Sequence, residues 1–151
     1  MPEPSSSPHP GTVESRVRHL YEVFNTGELT RMLDYFAPDV EIVHPLGVRE
    51  IGPGIAGVKR GHDEARAFFE QAPRTRGPMR LDPDEFLVAG NRVVVFGTRE
   101  VHSLDGRSAV LDFVHSWTLA DGKVTRFEDH FDTIEMCRLL RPEKFDHPDW
   151  H

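Results

Sequence analysis

Three tight-turn signals lie close together in the second half of the sequence: Gly90-Asn91, Asp105-Gly106 and Asp121-Gly122. A chain that reverses at each of them is committed to neighbouring antiparallel strands, because such dipeptides accept the left-handed backbone that tight hairpins require. The segments they separate run roughly from Asp84 to Val88, Arg92 to His102, Ala109 to Leu119 and Lys123 to Phe131. This is an antiparallel meander.

The first half reads as helices. Val13, Val17, Leu20, Tyr21 and Phe24 recur at i, i+4, i+7, i+8 and i+11, which places them on one helical face. Thr12 is the expected N-cap, and Asn25-Thr26-Gly27 supplies residues that tolerate the backbone of a helix end. Leu29, Met32, Leu33 and Phe36 outline a second short helix. Val40, Ile42 and His44 then alternate with Glu41 and Val43 as far as Pro45, a short strand with His44 at its end. Five glycines and a proline between Leu46 and Gly61 predict a loop able to fold over a pocket. A third helix is expected from His62 to Gln71. A last one, capped by Asp132 and carrying Ile134, Met136, Leu139 and Leu140, is closed by Pro142.

A chain of 151 residues suits one buried core. The expected organisation is a disordered tail over 1–12, a single α+β domain over 13–141 and a polar tail over 142–151. The formal charge of −7 disfavours a nucleic-acid partner. Apolar runs such as Val93 to Phe96 are far too short to cross a bilayer. The N-terminus has neither the basic start nor the apolar run of a secretory signal, and Cys137 is the single cysteine. Together these predict a cytoplasmic protein without disulfides.

The last hairpin carries the chemistry. A three-residue Ala-Asp-Gly loop would pair Leu119 with Lys123, Trp117 with Thr125 and His115 with Phe127. Phe113, His115, Trp117, Phe127, Asp129 and Phe131 would then share the core face, with His115 and Asp129 diagonal neighbours. A two-residue turn would instead separate His115 and Asp129 onto opposite faces. A carboxylate among aromatic rings is expected to have a raised pKa, useful for proton transfer, although a His-Asp pair can also simply satisfy both groups. Arg99, Glu100 and His102 alternate along one strand, and the Asp105-Gly106 turn leaves open which of them points inward. Their default reading is a solvated strand end.

Several phrases, in this order, resemble the SnoaL-like polyketide cyclases and ketosteroid isomerase-like domains of the nuclear transport factor two-like superfamily. They are Tyr21-Glu22-Val23-Phe24-Asn25-Thr26-Gly27-Glu28-Leu29, Phe36-Ala37-Pro38-Asp39-Val40-Glu41, His44-Pro45, His115-Ser116-Trp117, Asp121-Gly122-Lys123-Val124 and Phe131-Asp132-Thr133. The resemblance spans roughly Val13 to Leu140. It implies a curved antiparallel sheet wrapped around the N-terminal helices into a cone with an apolar pocket, and a homodimer. The isomerase-like proton carrier, a carboxylate before proline, is matched by His44. The isomerase-like tyrosine is matched by Leu20, and the acidic oxyanion partner by the Val114–His115 region, so steroid-type isomerisation is not favoured. The cyclase-like histidine and acid are matched by His115 and Asp129. There the acid works as general acid/base without cofactor or metal. Epoxide hydrolases of this fold use an Asp-Arg-Asp arrangement, which the sequence does not assemble.

The expected site is thus Asp129, His115 and His44 as catalytic residues, with Tyr21, Trp117, Phe113 and Phe127 around a small-molecule substrate. No cofactor or metal ligand is expected. The expected activity is cofactor-independent acid/base chemistry on a small apolar carbonyl compound, of cyclase, isomerase or dehydratase type. The alternative is a non-catalytic binder using the same cone.

Overall fold

The computed structural model describes residues 11–52 and 54–145. Most of the two expected tails, 1–10 and 146–151, lies outside the described residues. Helix α1 spans Val13–Asn25, and the Thr12 side chain accepts from the Ser15 N–H at 3.1 Å as the expected N-cap. Asn25 fixes its far end on the sheet: Nδ2 donates to the Leu81 carbonyl at 2.8 Å, and Oδ1 accepts from the Leu81 N–H at 2.9 Å. The second helix is a 3₁₀ helix, Leu29–Tyr35, and Phe36 already belongs to strand β1, Phe36–Val43. The glycine-rich stretch is less irregular than its composition implies. It holds a single turn, α2 (Val48–Ile51), and a short strand, β2 (Val58–Arg60). Helix α3, Gly61–Thr75, runs one turn past the expected end and carries Pro73 inside it.

Strands β3 (Met79–Ala89), β4 (Arg92–His102), β5 (Ser108–Ala120) and β6 (Lys123–Phe131) form the meander. β3 begins earlier than expected because it is a sheet edge, where Pro83 sits at a register shift without costing a ladder bond. The order is β2-β1-β6-β5-β4-β3 in a curved, unclosed sheet. The sheet is mixed, because β1 lies parallel to β6 while the other neighbours are antiparallel. A parallel neighbour needs a crossover, and here the intervening chain provides a long one. Helix α4, Thr133–Leu140, is capped by Asp132, and Pro142 opens a further turn, α5 (Pro142–Phe145), where the sequence predicted tail.

The hairpin β5–β6 departs from the expected register. Ala120 pairs with Lys123 across a two-residue turn in which both Asp121 (φ 51°) and Gly122 (φ 77°) are left-handed. On its own this turn would separate His115 from Asp129. A β-bulge corrects it: the register shifts between Thr118 and Leu119, leaving Thr125 as the extra residue, and its hydroxyl donates to the Thr118 carbonyl at 3.2 Å. Beyond the bulge His115 faces Asp129 directly, Trp117 faces Phe127 and Phe113 faces Phe131. The pairing expected for Leu119 is therefore wrong by one residue, and those for Trp117 and His115, beyond the bulge, by two, which preserves their face.

Two apolar clusters fill the concave side. One gathers Val17, Leu20, Tyr21, Phe36, Phe69, Val93, Val95, Phe113 and Trp117, the other Leu46, Ile51, Ala72, Val101, Leu111 and Met136. Gly97 lets β4 pass over Phe113. A β-carbon there would collide with the Asp82 carbonyl oxygen and stand 2.7 Å from Phe113 Cζ. Gly97→Ala is therefore expected to destabilise the fold by about 2–3 kcal/mol through overpacking. In thermal denaturation this should appear as a fall in Tm of roughly 5–10 °C.

Candidate functional site

A cavity of about 60 Å³ lies where the two clusters meet. Leu20 and Tyr21 of α1, Phe68 and Phe69 of α3, Leu46 and Ile51 above β1, and Trp117 and Phe127 of the hairpin make most of its wall apolar. Its ionisable groups are Tyr21, His44, Arg76, Arg99, His115 and Asp129.

The residue missing from the sequence expectation is Arg99. In the β4–β5 register it faces Leu111, on the same side as Val93, Val95 and Val101, so it points inward and is only 2% exposed. Its guanidinium passes 4.6 Å from the Phe131 ring and 5.3 Å from Phe113 to reach the hairpin pair. There Nη1 donates to Asp129 Oδ2 at 3.1 Å and Nη2 donates to Oδ1. Glu100 and His102, by contrast, pair with each other on the outside at 3.1 Å.

His115, 1% exposed, is held at both nitrogens. Nε2 lies 3.0 Å from Asp129 Oδ1, and Nδ1 lies 2.8 Å from the Tyr21 hydroxyl, which accepts from Trp117 Nε1 at 2.9 Å. One proton arrangement satisfies all of them. Trp117 N–H donates to Tyr21 oxygen, Tyr21 O–H to His115 Nδ1, and His115 Nε2–H to Asp129. The opposite tautomer would leave the buried Tyr21 proton without an acceptor and set a lone pair against the carboxylate. Arg99 Nη2, 3.1 Å from Nε2, is then a neighbour of the ring and a donor to the acid. Burial favours the neutral ring and lowers the His115 pKa despite the facing carboxylate.

Asp129 reverses the expectation of a raised pKa. Burial does push it up, but the Arg99 charge and the His115 and Arg99 hydrogen bonds outweigh burial, and the carboxyl is held well below the usual carboxylate range. Oδ1 receives two donors and Oδ2 one, so Oδ2 keeps a free lone pair.

His44 lies one residue past β1, its N–H bonded to the Gly57 carbonyl at 3.0 Å. The Leu46 N–H donates to its Nδ1 at 3.2 Å, so in the neutral ring the proton sits on Nε2, which has no hydrogen-bond partner among the described residues. Burial lowers its pKa to about 4. His44 rests edge-on against Phe131 at 5.5 Å. Of the expected substrate-binding residues, Tyr21, Trp117 and Phe127 line the cavity. Phe113 does not: it stacks under His115 at 4.0 Å as core. Asp129 is the only carboxylate among the lining residues, so a second acid for an Asp-Arg-Asp arrangement is not part of this wall. Among the described residues no three His, Cys, Asp or Glu side chains converge as metal ligands.

Comparison with known proteins places this geometry. No curated protein matches the chain. An NTF2-like protein of unknown function from Burkholderia pseudomallei K96243 is 46% identical, with a TM-score of 0.79 over 85% of this chain and 97% of that one. TerC, crystallised with polyporic acid, is also 46% identical, with a TM-score of 0.77 over the same shares. A putative SnoaL-like polyketide cyclase from Jannaschia sp. CCS1 shares the fold at 16% identity and a TM-score of 0.66, over 90% of this chain and 97% of that one. The family described as the SnoaL-like domain matches residues 17–127. The chain belongs to the SnoaL-like domain family, within the NTF2-like superfamily.

Proposed function

We propose that the protein is a cofactor-independent acid/base enzyme that enolises a small, largely apolar carbonyl compound, the step shared by cyclases, isomerases and dehydratases of this fold. The observation that carries this reading is that Asp129, with a spare Oδ2 lone pair, and His44, with an unpartnered Nε2–H, line one apolar cavity. The 46% identical TerC was crystallised with polyporic acid, which supports a small organic molecule as the ligand.

In this reading the substrate carbonyl oxygen accepts from His44 Nε2–H, and Asp129 Oδ2 takes the proton from the adjacent carbon. The C–H pair becomes the enolate double bond, and the carbonyl pair moves to oxygen, where His44 meets the charge. Return of the proton to a different carbon isomerises the compound. Attack of the enolate on a second carbonyl closes a ring, and loss of a β-hydroxyl with the proton from Asp129 dehydrates it. A carboxylate held so low is a weak base. Polarisation by His44 offsets this by making the carbon acid stronger. His115 acts as a positioning residue: with Tyr21 and Trp117 behind it, it fixes Asp129 Oδ1 and leaves Oδ2 facing substrate. We place this activity in a reducing cytoplasm. We expect a homodimer through the sheet exterior, where Phe96 and Val110 are exposed.

The test is deuterium uptake from D₂O at the α-carbon of a panel of aryl ketones, followed by NMR. The protein should accelerate exchange, and Asp129→Asn should lower the rate by about 10²–10⁴-fold, the scale of general acid/base catalysis. His44→Gln, which keeps a donor but changes its reach, should cost less. Exchange at the solvent rate with the parent protein across the panel would leave the binding-module reading in its place.

The pH profile follows from the same assignments. His44 donates as a neutral ring above its pKa of about 4, and Asp129, held low, is ionised throughout. The exchange rate per enzyme should therefore be flat from about pH 5.5 to 9 and fall only toward pH 4, where a proton on His44 Nδ1 displaces the Leu46 N–H that orients the ring. A midpoint near the ordinary histidine value of about 6.5 would move the proton-transfer role to another residue.

A further inference from the structure

The mechanism leaves one charged group of the cavity wall unused. Arg76 follows the C-terminus of α3, is 8% exposed, and lines the same cavity as His44, Arg99 and Asp129. Its one side-chain hydrogen bond runs from Nη1 to the carbonyl of its neighbour Gly77 at 3.1 Å. Nε and Nη2 have no partner, and no acid pairs with it, among the described residues. Burial and the nearby Arg99 lower its pKa to about 10, which still leaves it charged at neutral pH.

The charge around the cavity is then countable. Tyr21, His44 and His115 are neutral, for burial disfavours their charged forms. Asp129 is neutralised by Arg99 at bonding distance. Arg76 remains, a full positive charge on an apolar wall in a chain whose formal net charge is −7. A buried cation without a counter-ion is costly, and the usual compensation is an anion. A planar guanidinium whose Nε–Nη2 edge is unused fits an oxygen anion in particular.

We infer that the ligand of this cavity is an organic oxyanion, a carboxylate or ionised enol on a flat apolar body, and that Arg76 binds its charged oxygen. The inference deepens the enzymatic reading by naming a substrate class, and it rests on that reading for the cavity as the place of reaction. Asp129 and His44 then meet a carbonyl of the same molecule, away from the anchored oxygen.

The experiment is calorimetric titration with two matched pairs of probes. One is 2-naphthoate against 2-naphthamide, the other 2-hydroxy-1,4-naphthoquinone, ionised at neutral pH, against its neutral 2-methoxy ether. The parent protein should bind the anion of at least one pair about tenfold or more tighter than its neutral twin. The pair that shows the preference separates carboxylate from enol. Arg76→Gln, which keeps an amide donor for the Gly77 carbonyl, and Arg76→Met should both abolish the preference. Both should also raise Tm by about 2–4 °C, since each removes a buried unpaired charge. Equal or tighter binding of the neutral twins, failure of all four probes at millimolar concentration, a preference that survives in the variants, or a lower Tm would overturn the inference. A lower Tm would mark Arg76 as a structural helix cap. Anion binding without α-carbon exchange would sustain this inference while removing the proposed activity, and exchange without anion preference would do the reverse.

Discussion

The rest of the site depends on the ion pair between Arg99 and Asp129. Both groups sit in an apolar wall, and removing either from water costs several kcal/mol before their attraction is counted. The attraction offsets this because the geometry is two-pronged and the remaining lone pair of Oδ1 is met by His115. The pair is not fully satisfied, since Arg99 Nε is buried without a partner and rests among the Phe113 and Phe131 rings. A core selected for stability alone would do better with leucines at these positions. Keeping a charged network here, and anchoring it through Tyr21 to α1, is what a preorganised polar site requires.

That dependence explains which parts of the molecule were legible in sequence. Helix α1, its Thr12 cap and strands β4 and β6 follow from local signals, because periodicity and turn chemistry act over a few residues. The inward face of the hairpin was also legible, although the pairing was not. The aromatic residues Phe113, Trp117 and Phe127 fix a face, and burial enforces it whether a three-residue loop or a two-residue turn with a bulge delivers the register. The bulge at Thr125 has no strong local signature. It exists because the turn geometry of Asp121-Gly122 and the burial of Phe127 and Phe131 demand registers one residue apart.

Arg99 was legible in principle. It shares parity with Val93, Val95 and Val101, and a period-two reading of β4 from those valines would have turned it inward. Val94 and Phe96 on the other face blur the alternation, and an arginine at an inward position defies the usual burial preference. Asp129 was placed correctly and its titration was not. Desolvation could be foreseen from its aromatic neighbours, while the charge that outweighs it comes from a residue 30 positions away in sequence. His44 was legible as a strand-end histidine before proline. Its tautomer depends on the Leu46 N–H, which only the fold brings to Nδ1.

The groups divide by how firmly they are held. Tyr21, Trp117, His115, Arg99 and Asp129 are locked to one another, so none can reorient to suit a ligand without breaking a buried bond. His44 Nε2 and the Nε–Nη2 edge of Arg76 have no such commitments, and they come from the segments after β1 and α3 rather than from the hairpin. A rigid acceptor facing two uncommitted donors across an apolar space is an arrangement in which the ligand completes the hydrogen bonding. On the proposed reading, the fold tolerates unpaired polarity at those donors because substrate oxygens fill those positions.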